Sequence, residues 1–187
     1  MKLSTLAVFC GASSGNSRHY SEISQQLGIY LSKRQIKLIY GGARVGLMGR
    51  LADSVLRKNG HVIGVIPQFL KMKEIVHEEL SELFTVQTMH ERKQTMCTLS
   101  DAFLALPGGF GTLDELFEII TWAQLGLHHK PIALLNVDGY YNFMIQFLHH
   151  MVNQGFVQEK HLNLLIIGNT LEEIFTGFDN YLMPDQT

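Results

Sequence analysis

The chain has 187 residues, of which 46% are apolar and 17% charged, and this size and composition predict one globular domain covering residues 1–187. Its formal charge of −2 excludes the basic field that non-specific binding to nucleic acid or to an anionic membrane requires. Cys10 and Cys97 lie outside any CxxC pattern, and we find neither a membrane-spanning apolar run nor a signal-peptide core, so we expect a cytoplasmic protein without nucleic-acid or membrane partners.

Short apolar runs alternate with longer amphipathic segments, in a βαβα order. The runs are apolar at nearly every position, which indicates strands buried on both faces of a parallel sheet. We predict strands over Leu6 to Cys10, Ile36 to Tyr40, His61 to Ile66, Leu83 to Thr88, Ala102 to Leu106, Pro131 to Asn136 and Leu162 to Ile167. The predicted helices are Arg18 to Lys33, Leu47 to Asn59, Glu91 to Ser100, Leu113 to Leu125, Tyr141 to Gln154 and Leu171 to Leu182. Together they predict a Rossmann-like, doubly wound α/β domain of about seven strands with helices on both faces.

Three glycine-rich loops each follow a predicted strand and open a predicted helix. They are Gly11 to Gly15, Gly41 to Gly49 and Pro107 to Thr112. Because parallel strands place their carboxyl ends at one edge of the sheet, the three loops are expected to converge there. Glycine permits close backbone approach and a helix N-terminus offers unpaired N–H groups, so each loop is suited to hold a phosphate. A tight turn is the alternative for any one loop, but three together favour a nucleotide-sized ligand.

None of these loops is a standard nucleotide fingerprint. Gly41 to Gly46 has the spacing of a P-loop, but Leu47 stands where the P-loop needs its lysine. Gly109-Phe110-Gly111 begins a GxGxxG pattern, but Asp114 occupies the third glycine position and would repel a pyrophosphate. An NTPase and a dinucleotide-binding enzyme are therefore disfavoured.

Three charged side chains are candidates for chemistry. Arg92 carries a planar fork suited to a ribose or a phosphate, and Lys93 adds a second positive charge, although ordinary surface solvation is the alternative for both. Glu115 fits two interpretations equally well. It is either a catalytic carboxylate or the last residue of a capping box whose N-cap is Thr112.

Two pairs of adjacent histidines invite comparison with metal sites. They are His128-His129 and His149-His150. Adjacent side chains point in different directions, and no HExxH or carboxylate spacing accompanies them, so we expect no metal and no other cofactor.

Six motifs, found in order along almost the whole chain, resemble those of the Lonely Guy (LOG) family of cytokinin riboside 5'-monophosphate phosphoribohydrolases. They are Cys10 to Gly15, Tyr40 to Gly49, Val62 to Pro67, Met89 to Lys93, Leu106 to Glu115 and Thr121 to Gly126. Ala43 and Asp114 depart from the usual family residues, and both changes leave the catalytic motifs intact.

The resemblance implies a Rossmann-like hydrolase that cleaves a nucleoside monophosphate, with or without an N6 substituent on adenine, to free base and ribose 5-phosphate. It implies that Arg92 and Glu115 are the catalytic pair. It implies substrate contacts, which again include Arg92, from Glu74, Lys93, Gly108, Gly109, Phe110, Gly111, Thr112 and Thr121. It also implies a homodimer or higher homo-oligomer with active sites near the interface, which the helix from Leu113 to Leu125 favours as well, because its apolar residues leave almost no polar face.

Two other functions are weighed against this one. The label "possible lysine decarboxylase", attached to the family, would require pyridoxal phosphate and a Schiff-base lysine, and Lys93 alone lies in a strong motif. A non-catalytic nucleotide or cofactor carrier of the same fold is the second alternative. Retention of both Arg92 and Glu115 argues against a carrier.

Overall fold

The computed structural model describes residues 2–71 and 76–183, and its centre is a parallel sheet of seven strands in the order β4-β3-β2-β1-β5-β6-β7. The strands are β1 (Thr5–Phe9), β2 (Lys37–Tyr40), β3 (Val62–Pro67), β4 (Glu82–Val86), β5 (Ala102–Ala105), β6 (Ile132–Leu135) and β7 (Leu165–Gly168). The helices are α1 (Arg18–Arg34), α2 (Gly46–Leu56), α3 (Gln68–Lys71), α4 (Met89–Leu99), α5 (Phe110–Gln124), α6 (Asn142–Asn153), α7 (Glu159–Leu162) and α8 (Leu171–Leu182).

The predicted fold class is confirmed, and each predicted strand and helix has its counterpart. Two short helices were not predicted, α3 and α7, because four residues are too few to show a helical period. The largest shift of a strand is in β7, which begins at Leu165 because Leu162 belongs to α7.

Helices cover both faces of the sheet, and alternate residues of each strand supply the two cores. On one face, α1, α2 and α8 pack against strand residues such as Leu6 and Leu104. On the other face, α4, α5 and α6 pack against residues such as Phe9 and Phe103. Burial on both faces explains why the strands are continuously apolar.

The order in which successive strands are added to the sheet reverses between β1 and β5. From β1 the sheet grows through β2 to β4, and from β5 it grows the other way through β6 to β7. Ligands of open α/β sheets bind in the crevice outside the carboxyl ends of strands at such a switch point. The three predicted glycine loops follow β1, β2 and β5, which are neighbours at this place.

Among the described residues, no helix has the length and apolar character needed to cross a membrane.

Candidate active site

A cavity of about 450 Å3 opens at the switch point, beyond the carboxyl ends of β1 and β5. The loop after β1 and the loop after β5 form facing walls, and residues of α2, α4 and α5 close the inner end. The lining residues are Cys10, Gly11, Ala12, Ser13, Ser14, Gly15, Tyr20, Leu47, Met48, Met89, Arg92, Pro107, Gly108, Gly109, Gly111, Thr112, Glu115 and Tyr140. A cavity of this volume lies within the range of small-ligand sites.

Helix α5 begins three residues earlier than its sequence pattern suggests. Its N-cap is Gly109 and its first helical residue is Phe110, so Thr112 lies inside the first turn. The capping-box interpretation of Thr112 and Glu115 is therefore wrong. A capping box needs its glutamate at the third helical position, and Glu115 is the sixth residue of α5, in the second turn. Helix capping no longer explains why a carboxylate stands at position 115.

The N-terminus of α5 lies open to the cavity. No side chain caps it, and a Cβ built on Gly109 or Gly111 would meet no atom within 4 Å. Both positions therefore leave room for a ligand to approach the backbone. The first N–H groups of a helix have no partner within the helix, and its dipole is positive at this end. This turn is thus suited to bind an anion such as a phosphate.

Arg92 and Glu115 meet at the inner end of the cavity. Nη2 of Arg92 lies 3.1 Å from Oε1 of Glu115, and both side chains are about nine-tenths buried. Nε of Arg92 is buried without a hydrogen-bond partner among the described residues, and Nη1 faces the Met89 sulfur, a weak acceptor, at 3.9 Å. The guanidinium therefore keeps donor capacity for a ligand oxygen.

Two local features place Arg92 at this point. Thr88 caps α4 by accepting a hydrogen bond from the Glu91 N–H at 3.0 Å, while the Glu91 carboxylate accepts one from the Gln87 N–H at 2.7 Å. The cap fixes the start of the helix at Met89, three residues before Arg92. The guanidinium then packs directly on the Cα of Gly41, where a Cβ would clash with Nη2.

The second glycine loop does not hold a ligand through its glycines. Gly46, at φ 59°, lies against the Ala12 backbone, and Gly49 lies against the Arg44 backbone. These glycines permit close packing of the chain on itself. The loop contributes Leu47 and Met48 to the cavity instead.

Cys10 lines the cavity but is not a nucleophile. Burial, with a smaller contribution from the negative charge of Glu115, raises the pKa of the Cys10 thiol far above its usual value. The thiol therefore stays protonated at neutral pH, and a protonated thiol is a poor nucleophile.

Three predicted substrate contacts lie outside the cavity, in a shallow groove on the outer face of α5. Lys93 Nζ lies 2.6 Å from Glu118 and 3.1 Å from Asp114, and Thr121 donates its hydroxyl to the Phe117 carbonyl. Burial lowers the pKa of Lys93, but its hydrogen bonds to Glu118 and Asp114 outweigh burial and raise the pKa overall. Phe110 is 93% exposed beside this groove.

Glu74, another predicted contact, lies outside the described residues. Val76, the next described residue, forms a β-bridge with Ala43 of the second glycine loop. The buried His77 follows. Its Nδ1 accepts the Glu79 N–H at 3.2 Å, so Nε2 carries the proton and donates to Asp53 of α2 at 3.0 Å.

Tyr20 and Tyr140 also line the cavity, and sequence reasoning missed both because neither lies in any of the motifs. They come from α1 and from the segment between β6 and α6, and no spacing along the chain links them. The remaining predicted cavity residues are brought together, namely Arg92, Gly108, Gly109, Gly111, Thr112 and Glu115.

Within residues 2–71 and 76–183, no group of three histidine, cysteine or acidic side chains is placed to hold a metal ion. Of the adjacent histidines, His128 is buried and hydrogen-bonds the Ile119 carbonyl at 3.0 Å. Its role is that of a core side chain near the end of α5.

Comparison with known proteins gives a consistent result. A family model described as "Possible lysine decarboxylase" matches residues 48–178. Cytokinin riboside 5'-monophosphate phosphoribohydrolase LOG1 of Arabidopsis thaliana is 44% identical over 97% of this chain and 85% of its own length. The probable cytokinin riboside 5'-monophosphate phosphoribohydrolase LOGL9 of Oryza sativa subsp. japonica is 50% identical over 95% of this chain and 78% of its own length.

Similar solved structures are more distant in sequence. The molybdenum cofactor binding protein of Rippkaea orientalis superposes with a TM-score of 0.73 at 21% identity, covering 97% of this chain and 99% of its own. The Moco carrier protein of Chlamydomonas reinhardtii gives a TM-score of 0.71 at 15% identity, with coverage of 97% and 98%. At these identities the likeness shows a shared fold alone.

Proposed function

Because the chain belongs to the Lonely Guy family of cytokinin riboside 5'-monophosphate phosphoribohydrolases, we propose that it hydrolyses the N-glycosidic bond of an adenosine-type 5'-monophosphate. Water replaces the base at C1' of the ribose, and the products are the free base, a cytokinin when N6 is substituted, and ribose 5-phosphate. The observation that carries this proposal is the buried pair of Arg92 and Glu115 in a cavity that opens onto the N-terminus of α5.

The 5'-phosphate binds at the first turn of α5, where Gly109 and Gly111 leave open space beside the backbone. The unpaired N–H groups and the dipole of the helix stabilise its charge. Phosphate binding energy then holds the ribose in the correct position for the reaction, which lowers the entropic part of the barrier.

Glu115 and Arg92 act on the ribose. Departure of the base leaves positive oxocarbenium character at C1', and the Glu115 carboxylate stabilises that charge within a cavity of low dielectric constant. The guanidinium of Arg92, 3.1 Å from Glu115, holds the carboxylate in place and has donors left for a substrate oxygen.

The lysine decarboxylase label has little support from this site. Such an enzyme needs a lysine amine within reach of pyridoxal phosphate. No lysine of the described ranges lines the cavity, and Lys93 is held by Asp114 and Glu118 on the outer face of α5.

The proposed function is tested with the purified protein and a panel of nucleoside 5'-monophosphates, without added metal. Free base should be released from adenosine 5'-monophosphate and its N6-prenylated form, and at least about a hundredfold more slowly from adenosine, because the nucleoside lacks the phosphate that positions the ribose. Chromatographic assay of base and of ribose 5-phosphate measures both rates.

Equal rates for nucleotide and nucleoside would contradict the role given to α5. Tight binding of a nucleotide without any release of base would instead favour the carrier function.

We also propose that the protein acts in the cytoplasm as a homodimer or a higher homo-oligomer. Both cysteines are free thiols, which favours a reducing compartment. The groove on α5 supports self-association, since Phe110, Leu125 and Leu127 are largely exposed around half-buried Phe117 and Trp122. A second copy seated there would bring Lys93 and Thr121 close to an interface, and the family resemblance implies active sites near such an interface.

Light scattering tests this assembly at micromolar concentration. We expect at least twice the 21.1 kDa mass of the chain. Leu125→Lys should shift the population toward monomer because it places a charge within the apolar contact. Tyr181→Lys, at an exposed position in the last turn of α8, is the matched control and should leave the mass unchanged. A monomeric wild-type protein would contradict the proposal.

A further inference from the structure

The side chain of Tyr140, in the loop between β6 and α6, is bonded to the candidate phosphate-binding turn. The hydroxyl of Tyr140 donates a hydrogen bond to the carbonyl oxygen of Gly108 at 2.6 Å. Gly108 precedes Gly109, the N-cap of α5, and both glycines line the cavity. None of the sequence motifs considered above predicts this bond, because the two residues are 32 positions apart.

The orientation of the peptide between Gly108 and Gly109 decides what a phosphate meets there. The peptide is trans, so its C=O and its N–H point in opposite directions. If the peptide rotated so that the carbonyl took the place of the Gly109 N–H, its partial negative charge would repel a phosphate. Two successive glycines have no Cβ to oppose that rotation, so a further contact has to hold the carbonyl.

Three contacts hold Tyr140 itself in place. Its ring meets the edges of Tyr20 and Tyr141, with ring centroids 5.7 Å and 4.8 Å away. The side-chain oxygen of Asn136 accepts the Tyr141 N–H at 2.8 Å, which fixes the backbone next to Tyr140.

A side-chain hydrogen bond joins the same loop to α1. Asp138, at φ 51° in the left-handed region, lies 2.9 Å from Nδ1 of His19. Because α1 follows the first glycine loop, the loop that carries Asp138 and Tyr140 contacts both sides of the cavity.

We propose that Tyr140 is a positioning residue for the phosphate of the substrate: its hydroxyl locks the Gly108 carbonyl and thereby sets the N-terminal turn of α5 to receive the anion. This inference rests on the proposed function for the identity of the substrate, but the hydrogen bond from Tyr140 to Gly108 affects phosphate binding alone. It acts through the backbone of the loop and leaves Arg92 and Glu115 untouched.

The test compares wild type with Tyr140→Phe, which removes the hydroxyl and keeps the ring against Tyr20. For adenosine 5'-monophosphate, kcat/KM should fall about fivefold, the effect of losing one neutral hydrogen bond. The dissociation constant of ribose 5-phosphate, measured by calorimetry, should rise by the same factor. The slow rate with adenosine should stay unchanged, because adenosine brings no phosphate to the turn.

Tyr181→Phe, which removes an exposed hydroxyl at the distal end of α8, is the matched control and should alter none of the three quantities. Equal losses of rate with nucleotide and nucleoside would overturn the proposal. An unchanged affinity for ribose 5-phosphate, or an unchanged kcat/KM for the nucleotide, would also overturn it. If wild type binds ribose 5-phosphate but cleaves no nucleotide, the proposed function fails, while the affinity ratio between wild type and Tyr140→Phe still decides the role of Tyr140.

Discussion

Replacing Glu115 by glutamine should lower turnover of the nucleotide by about a thousandfold while the protein remains folded. The amide has the shape of the carboxylate and can still accept a hydrogen bond from Arg92, 3.1 Å away. It carries no negative charge, so it cannot stabilise the oxocarbenium character that develops at C1'. Rates from single-turnover base release, together with a thermal unfolding curve, measure the two effects separately.

A matched substitution distinguishes the loss of this charge from the loss of any carboxylate. Glu82→Gln removes an acid that pairs with His61 at 2.8 Å, at the amino edge of the sheet, and should leave turnover unchanged. Glu115→Ala should lose turnover and also stability, on the order of 2 kcal/mol, because the buried Arg92 would lose a partner. Retained turnover in Glu115→Gln would mean that the reacting charge lies elsewhere.

The sheet could be predicted from sequence because its strands are buried on both faces. β1, β3 and β5 are apolar at almost every position, and each has a glycine or proline at its last residue or two residues beyond it, so both their type and their position can be predicted. The order of the strands is set by contacts between distant segments. The pairing of β1 with β5, which creates the switch point and the cavity, has no local signature.

Helix starts were harder to predict, because two similar patterns compete. Both Thr88…Glu91 and Thr112…Glu115 have the spacing of a capping box. The structure uses the first, where Thr88 caps α4, and begins the other helix at Phe110. Gly109 serves as the N-cap of α5, since glycine is tolerated there and no side chain then blocks the turn.

The meeting of Arg92 with Glu115 also depends on tertiary structure. The two residues lie on α4 and α5, with β5 between them in the chain, so spacing along the sequence does not predict their separation. The sequence motifs point to each residue separately and, through the family resemblance, to the two as a catalytic pair. They did not identify the contact of the guanidinium with Gly41, which comes from the loop after β2.

Gly41→Ala should therefore lower turnover about a hundredfold with little change in stability. A Cβ at position 41 would clash with Nη2 of Arg92 and press on the Met48 sulfur at 3.1 Å. Because the clashing atoms belong to the end of a flexible side chain, the guanidinium moves and the fold persists. A displacement of about 1 Å at a catalytic group is enough for a hundredfold loss. Steady-state kinetics and thermal unfolding measure both effects.

A double-mutant cycle identifies the route of this effect. If Gly41 acts through Arg92, adding Gly41→Ala to Arg92→Ala should change turnover no further, because the guanidinium that it displaces is already gone. Additive losses in the double mutant would mean that Gly41 affects the reaction by another path, such as a shift of Met48. Gly41 does not have the positive φ that alanine avoids, so backbone strain does not complicate the comparison. The cycle therefore reports on the contact between one Cα and one guanidinium.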